Sequence, residues 1–120
     1  MATTVSPSKT PLASTMVVIT GLTNAAQTDL LGGSVTLGTL FIKNGSGGTA
    51  YLKIYDDAAP VVGTTEPDII IEVANGKTVS WWIDGGLPLH NAISLCASDT
   101  PGKAAGSTAS SFNVRVGLSS

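Results

Sequence analysis

The stretch that most constrains the fold of this chain covers residues 51–82, with the sequence YLKIYDDAAPVVGTTEPDIIIEVANGKTVSWW. Within residues 50–83, apolar residues recur at every second position in three segments, 50–56, 68–74 and 78–83. A period of two is typical of strands that bury one face against a core. The β-branched side chains of the second segment favour a pleated strand over a helix. The stretch therefore predicts three consecutive strands.

The connections between these three strands differ in kind. Asn75-Gly76 is a pair typical of the type I′ turn, so we expect residues 78–83 to return antiparallel beside residues 68–74 in a hairpin. Residues 57–67 are too many for a tight hairpin, and their two prolines hold the backbone extended. We expect this longer connection to cross from one sheet to another.

Four further segments with apolar alternation complete the predicted strands, at 15–20, 35–43, 92–97 and 112–118. In the second of these, alternation places Val35, Leu37, Thr39 and Phe41 on one face and Leu40 and Ile42 on the other, and Gly38 indicates a bulge or a close backbone approach. The glycine-rich residues 44–48 predict a hairpin into the next strand. Seven to eight strands without a long helical pattern predict an all-β, single-domain β-sandwich of jelly-roll or Greek-key type.

The length of 120 residues predicts one domain, which we place at residues 14–120. Residues 1–13 contain Pro7 and Pro11 and few large apolar side chains, so they predict an extended N-terminal arm that cannot fold alone. Such an arm is either a frayed terminus or a segment ordered by a neighbouring subunit, and in the second case Pro7 and Pro11 are candidate interface residues. Residues 99–108 have a similar composition and predict a mobile loop outside the core.

Charge is scarce in this sequence, and its distribution excludes several kinds of partner. Charged residues make up 12% of the chain, against about 25% in a typical globular domain, and the net charge is −2. The six basic residues are scattered singly, so we expect no nucleic-acid partner. No apolar run approaches the length of a spanning helix, so we expect no membrane partner. The single Cys96 leaves no internal disulfide, as is typical of a protein made in a reducing cytoplasm.

The sequence indicates no catalytic residue, cofactor or metal site. His90 is the only histidine, and a thiol dyad would require it to meet Cys96, whose strand position is typical of a small buried side chain. Asp56, Asp57, Glu66 and Asp68 flank one long loop and carry the oxygen ligands that calcium prefers. They lack the spacing of a calcium-binding loop, and turns or strand ends are the commoner use of such residues. We therefore expect a protein that is not an enzyme.

Trp81 and Trp82 are adjacent on one predicted strand and must point to opposite faces of its sheet. We expect one of them to pack in the core and the other, Trp82, to point outward as an interface contact. An exposed tryptophan also stacks on sugar rings, so a carbohydrate-binding module is an alternative. Few other aromatic residues are present to support a sugar site, which favours the interface.

Two motifs in order, YLKIYD at residues 51–56 and PVVGTTEPD at residues 60–68, followed by an apolar strand and an Asn-Gly turn, resemble a group of small virion structural proteins of tailed bacteriophages. The resemblance covers about residues 41–95. Gly85-Gly86 fits the glycine-rich loop of that group, but residues 87–90 lack the aromatic that usually follows. The resemblance fixes no active residue.

The resemblance implies a decoration or cement protein on the surface of a phage capsid, made in the host cytoplasm. Its partners would be the major capsid protein and further copies of this chain, as a dimer or trimer. A head-fibre, neck or tail component with a joining or receptor-binding role is the alternative within the virion.

Overall fold

The computed structural model describes residues 15–119, which form seven strands and no helix. The predicted N-terminal arm, with Pro7 and Pro11, lies outside the described residues. The strands are β1 (Thr15–Ile19), β2 (Val35–Asn44), β3 (Ala50–Tyr55), β4 (Ile69–Val73), β5 (Thr78–Leu89), β6 (Ser94–Ser98) and β7 (Phe112–Ser119).

These strands form two antiparallel sheets, one with the order β1-β7-β2-β5 and one with the order β4-β3-β6. The core lies between the sheets and joins the inward side chains of both. Its buried members include Leu37, Leu40, Ile42, Val114 and Val116 from the first sheet and Leu52, Ile54, Ile71, Val73 and Leu95 from the second. The predicted all-β sandwich is therefore confirmed.

The chain builds this sandwich from three arms that each start in one sheet and end in the other. β2 continues into β3, β5 is joined to β4, and β7 is joined to β6, so that each pair of strands acts as one arm bent at a corner. Neighbouring arms pair antiparallel along both sheets, as in jelly-roll sandwiches. The hairpin predicted at residues 44–48 is wrong, because these residues carry the chain from one sheet to the other.

The two connections within residues 51–82 have the opposite roles from those predicted: the long one stays within one sheet and the short one crosses between sheets. Residues 57–67 join β3 to β4, which are neighbours in one sheet, and therefore do not cross between sheets. The loop turns back on itself because the Val61 carbonyl accepts the N–H groups of Thr64 and Thr65 at 2.9 and 2.8 Å. A broad loop thus closes a short antiparallel pair of strands.

The Asn75-Gly76 turn joins β4 to β5, which lie in opposite sheets, so the predicted hairpin and its type I′ turn are wrong. Gly76 has a φ of 71°, whereas Asn75 has no positive φ. The Lys77 N–H donates to the Ala74 carbonyl at 3.0 Å. A positive φ at the third residue alone is that of a type II turn, which does not impose the twist that pairs two strands of a hairpin.

Asn44 connects the corners of the three arms. Its backbone exchanges hydrogen bonds with the β4–β5 corner, through Lys77 O at 3.0 Å and Gly76 N at 2.9 Å. Its fully buried side-chain amide donates to the Gly48 and Val73 carbonyls, both at 2.8 Å. The next residue, Gly45, donates to Ser111 O at 2.9 Å in the β6–β7 corner. Asn44 and the adjacent Gly45 therefore form hydrogen bonds with polar groups of neighbouring corners, where the regular hydrogen-bond ladders of the strands end.

β2 contains a bulge at Gly38, where its register with both neighbouring strands shifts. The extra residue reverses the alternation, so Leu40 and Ile42 share the inward face with Val35 and Leu37. Phe41 points outward and is exposed. The predicted bulge is present, but the faces assigned to Thr39, Phe41, Leu40 and Ile42 were wrong because that assignment counted through the bulge.

We predict that Ile71→Ala lowers the free energy of unfolding by about 2–5 kcal/mol, because Ile71 is 5% exposed and its truncation leaves a cavity in the core. Ile70, its neighbour on β4, is 40% exposed on the other face and gives the matched control. Ile70→Ala should change the free energy by about 0.5 kcal/mol or less. Chemical denaturation of both variants measures the difference, and equal effects would contradict the assigned faces.

We also predict that Asn44→Ala lowers the free energy of unfolding by about 1–3 kcal/mol, because it leaves the buried Val73 carbonyl without its Asn44 donor. Asn75→Ala, at the exposed turn facing the same corner, is the control and should have little effect. Thermal and urea unfolding compare the two. A stability loss in the control as large as that of Asn44→Ala would mean that the corner does not depend on the Asn44 amide.

Candidate interface surface

The four-stranded sheet presents a band of exposed apolar side chains on the side that points away from the core. We call this surface the outer face. It consists of Met16, Val18, Thr39, Phe41, Ser80, Trp82 and Arg115. Phe41 and Trp82 are neighbours on this surface, whereas Arg115 and Gly117 of β7 separate them from Met16 and Val18. Exposed apolar side chains grouped on one face mark contact with a partner more often than isolated ones do.

Strand pairing sets these side chains in two neighbouring rows that cross all four strands. The first row contains Val18, Arg115, Phe41 and Ser80, each paired with the next. The second row contains Met16, Gly117, Thr39 and Trp82. Gly117 has no side chain, so the second row has a gap between Met16 and Thr39. A groove of about 350 Å³ lies among the residues of the outer face.

Arg115 is the one charged member of the outer face, which is otherwise apolar or carries hydroxyl groups. Charged residues are depleted at the centres of protein interfaces because each buried charge must be desolvated, whereas aromatic residues, Met and Arg are enriched there. Trp82, Phe41, Met16 and Arg115 match this composition. The outer face is therefore chemically suited to be covered.

Trp82 points outward and is 81% exposed, the orientation that the sequence indicated. Trp81 points to the opposite side of β5 but is still 41% exposed, so the expectation that it packs in the core is wrong. The reason is its position on a strand at the edge of the sheet, where no further strand lies beside it among residues 15–119. Both tryptophans are therefore exposed, Trp82 over most of its surface and Trp81 over less than half.

The chain itself covers the outward side of β3 and β6 in the three-stranded sheet, whereas Ile70 and Glu72 on the outward side of β4 are exposed. Residues 99–108 lie over it, and the ammonium group of Lys53 donates to the Ala104 carbonyl at 2.6 Å. Asn24 donates to the Gly106 carbonyl at 3.0 Å, and Asp99 N donates to Ser107 O at 3.0 Å. Residues 99–108 act as a cover, because Lys53, although on the outward side of β3, is fully buried beneath them. Their mobility stays a prediction.

Burial under this cover sets the chemistry of three side chains. It lowers the pKa of Lys53 and raises the pKa values of Tyr55 and Cys96 above those of the free groups. The Tyr55 hydroxyl lies 3.6 Å from the Cys96 sulfur. A raised pKa keeps the thiol protonated and poorly nucleophilic, while His90 is exposed in the loop before β6. The structure therefore does not form the dyad considered from the sequence.

The four acidic residues near the long loop serve separate structural roles. Asp68 accepts the Asp56 backbone N–H, Asp57 accepts the Ala59 N–H at 2.8 Å, and Glu66 lies 3.9 Å from Lys103. Asp56 accepts N–H groups from the segment before β6. No group of three or more potential metal ligands is found within residues 15–119.

Sequence reasoning identified Trp82 but missed Met16, Val18 and Phe41 as members of the outer face. Phe41 was missed because the bulge at Gly38 reverses which side of the sheet the later residues of β2 face. Gly38 was the available signal, since counting the alternation anew after it places Phe41 on the outer face. Met16 and Val18 lie on an edge strand whose partner, β7, is about a hundred residues away in the chain. Pro7 and Pro11, the other candidate interface residues, lie outside the described residues.

Comparison of the chain with known protein families, with curated proteins and with solved structures gives no match. Within residues 15–119, no helix is long and apolar enough to cross a membrane.

We predict that Asp56 makes stability depend on acid pH. Burial by itself would raise the pKa of Asp56, but backbone N–H groups of Asn91, Ala92 and His90 donate to its carboxylate and together lower the pKa below its usual value. A carboxyl whose pKa is lower in the folded state stabilises the fold above its unfolded pKa, and this contribution disappears as pH falls through the folded pKa.

Asp56→Asn should therefore lower stability at neutral pH and reduce the further loss between neutral and acidic pH. Asp84→Asn, which removes an exposed carboxylate in β5, is the control for the loss of one negative charge. Urea denaturation across the acid range measures both profiles. A profile for Asp56→Asn that runs parallel to that of the native chain would contradict the role of this carboxylate.

Proposed function

We propose that this protein is a structural subunit of a phage virion, which decorates or cements the head by binding the major capsid protein and copies of itself. The observation that carries the proposal is the outer face, where a nearly uncharged band of large side chains crosses four strands. The resemblance of residues 51–68 to small phage virion proteins supports the same assignment and supplies the identity of the partner.

The proposed mechanism is the burial of surface without chemistry. Stable protein interfaces bury about 800 Å² on each partner, and a few anchors in the centre provide most of the binding energy. Trp82 is the anchor on this surface, since its exposed side chain has more apolar area than any other member of the outer face. Covering it across neighbouring capsid subunits would add contacts that the shell lacks by itself.

The two sequence motifs and the outer face have different tasks in this proposal. Residues 51–56 supply β3, and residues 60–68 form the loop that joins β3 to β4. Both belong to the three-stranded sheet, in which the chain itself covers the outward side of β3 and β6. The motifs would therefore preserve the fold of the subunit, while the opposite sheet makes the contacts.

A carbohydrate-binding module is the second candidate. It is favoured by the position of Trp82 at a groove that also contains the hydroxyl groups of Thr39 and Ser80 and the guanidinium of Arg115. An exposed aromatic ring beside hydrogen-bonding groups is able to stack on a sugar and orient it. Retention on polysaccharide columns tests this candidate directly.

Co-sedimentation with phage heads that lack the protein tests the proposed function. We expect the native chain to sediment with the heads, and we expect Trp82→Ser to weaken binding by about tenfold or more, as the loss of an interface anchor does. Ile70→Ser is the matched control, because Ile70 is an exposed apolar residue on the other sheet. It should bind like the native chain.

Circular dichroism of each variant first establishes that it is folded. Full binding by Trp82→Ser would overturn the outer face as the contact surface. Failure of the native chain to sediment with heads, together with retention on a polysaccharide, would replace the proposal by the second candidate. Sedimentation with tails or necks alone would place the same subunit elsewhere in the virion.

A further inference from the structure

β5 is an edge strand of twelve residues with one side unpaired. It pairs with β2, and no other strand among residues 15–119 pairs with it. In an antiparallel sheet, alternate residues of such a strand direct their N–H and C=O groups away from the sheet, where they can pair with another strand. β5 therefore presents a row of backbone hydrogen-bonding groups with which no further strand among residues 15–119 pairs.

The opposite situation is found at β6, an edge strand of the other sheet. Gln27 forms an antiparallel bridge with Leu95, and Leu30 N donates to Ile93 O at 3.0 Å. Thr23 O accepts the Ala97 N–H at 2.9 Å along the same edge. The chain thus covers the β6 edge with an irregular segment and leaves the longer β5 edge open.

Trp81 and Trp82 show which direction a partner of β5 approaches from. They project from opposite sides of the strand and are 41% and 81% exposed. A partner seated on the outer face reaches Trp82 but not Trp81, which points to the other side of the sheet. A strand added along the β5 edge has side chains on both sides and reaches both tryptophans.

The part of β5 that can accept such a strand is short and uncharged. Its register with β2 is regular from Thr78, opposite Lys43, to Trp82, opposite Thr39. Beyond Trp82 the strand bulges, because residues 83–86 stand opposite Gly38 alone, and Gly85 and Gly86 have φ values of 79° and 77°. Residues 78–82 therefore form the regular edge.

Exposed charges of opposite sign stand near the two ends of this edge, Lys77 before it and Asp84 after it. When residues 78–82 of two copies pair antiparallel about a two-fold axis, Lys77 of each copy stands opposite Ile83 of the other copy and one residue from its Asp84, so that unlike charges lie near each other at both ends. Such a contact is self-complementary, which a two-fold interface requires. A parallel pairing would instead bring like charges together at both ends.

We infer that a second copy of this chain binds along β5, with residues 78–82 of the two copies paired antiparallel about a two-fold axis. The two four-stranded sheets then form one continuous sheet of eight strands. The inference deepens the proposed function by giving the contact between copies, while the outer faces of both copies remain available on the same side for the shell.

A charge exchange in the isolated full-length protein tests this pairing. We expect sedimentation equilibrium to show a dimer for the native chain. Lys77→Glu alone and Asp84→Lys alone should each weaken the dimer several-fold, up to about tenfold, because like charges then lie near each other at both ends of the paired strands. The chain that carries both changes should recover the native dissociation constant. Both residues are exposed, so these variants should fold like the native chain.

Two double variants, each replacing two exposed apolar residues by Ser, show which edge of the sheet forms the dimer contact. Trp81→Ser with Trp82→Ser should dissociate the dimer, whereas Met16→Ser with Val18→Ser, at the opposite edge of the same sheet, should not. Amide hydrogen exchange within residues 78–82 should be slower in the dimer than at dilutions where the chain is monomeric.

A chain that stays monomeric at millimolar concentration would overturn the inference, as would charge variants that do not compensate or a dimer lost in the Met16 and Val18 variant. Head binding by a monomeric chain would remove the pairing and keep the proposed function. A dimer that does not bind phage heads would keep the pairing and remove the proposed function.

Discussion

The corner at Asn44 is the constraint on which the two sheets depend. Three arms change sheets side by side, and at that point their backbone groups leave the regular ladders. Buried groups without partners would cost about 1–3 kcal/mol each, so the corner must supply hydrogen bonds of its own. The Asn44 side chain binds Val73 and Gly48, its backbone binds Lys77, and Gly45 beside it binds Ser111. A side chain with both donor and acceptor groups is needed here, since the Ser46 hydroxyl and backbone N–H also donate to the side-chain oxygen of Asn44.

The strands were predictable from the sequence, whereas their partners were not. Alternation in segments such as 69–73 reports which residues share a face, and this is a local property that one strand displays by itself. Pairing depends on residues far apart in the chain. Asn75-Gly76 illustrates the difference, because the pair suits several turns, and the Asn44 contacts that hold it at a corner lie about thirty residues upstream. The sequence therefore indicates that a turn occurs at this point, and distant contacts decide which strands it joins.

The candidate surface was predictable in part for the same reason. Trp82 follows from local alternation, since neighbouring residues on a strand point to opposite sides and Trp81 shares its side with Val79 and Ile83. Phe41 does not follow, because a single bulge residue at Gly38 exchanges the faces of everything after it. Lys53 shows the converse limit. Lys53 lies between the inward residues Leu52 and Ile54 on β3, so alternation predicts that its side chain points outward. That outward side chain is buried because residues 99–108 lie over it.

The two outward sides of the sandwich are treated differently, and the difference follows from where the chain has irregular segments available. Residues 99–108 and 23–30 cover β3, β6 and the β6 edge of the three-stranded sheet with backbone hydrogen bonds and the Lys53 ammonium. The four-stranded sheet receives no such cover from the described residues, although it carries Phe41, Trp82 and the open β5 edge. Exposed strand edges are usually blunted by charge, and here residues 78–82 carry none. An uncharged edge and an apolar face on one sheet are more consistent with surfaces that another molecule covers than with a subunit that functions alone.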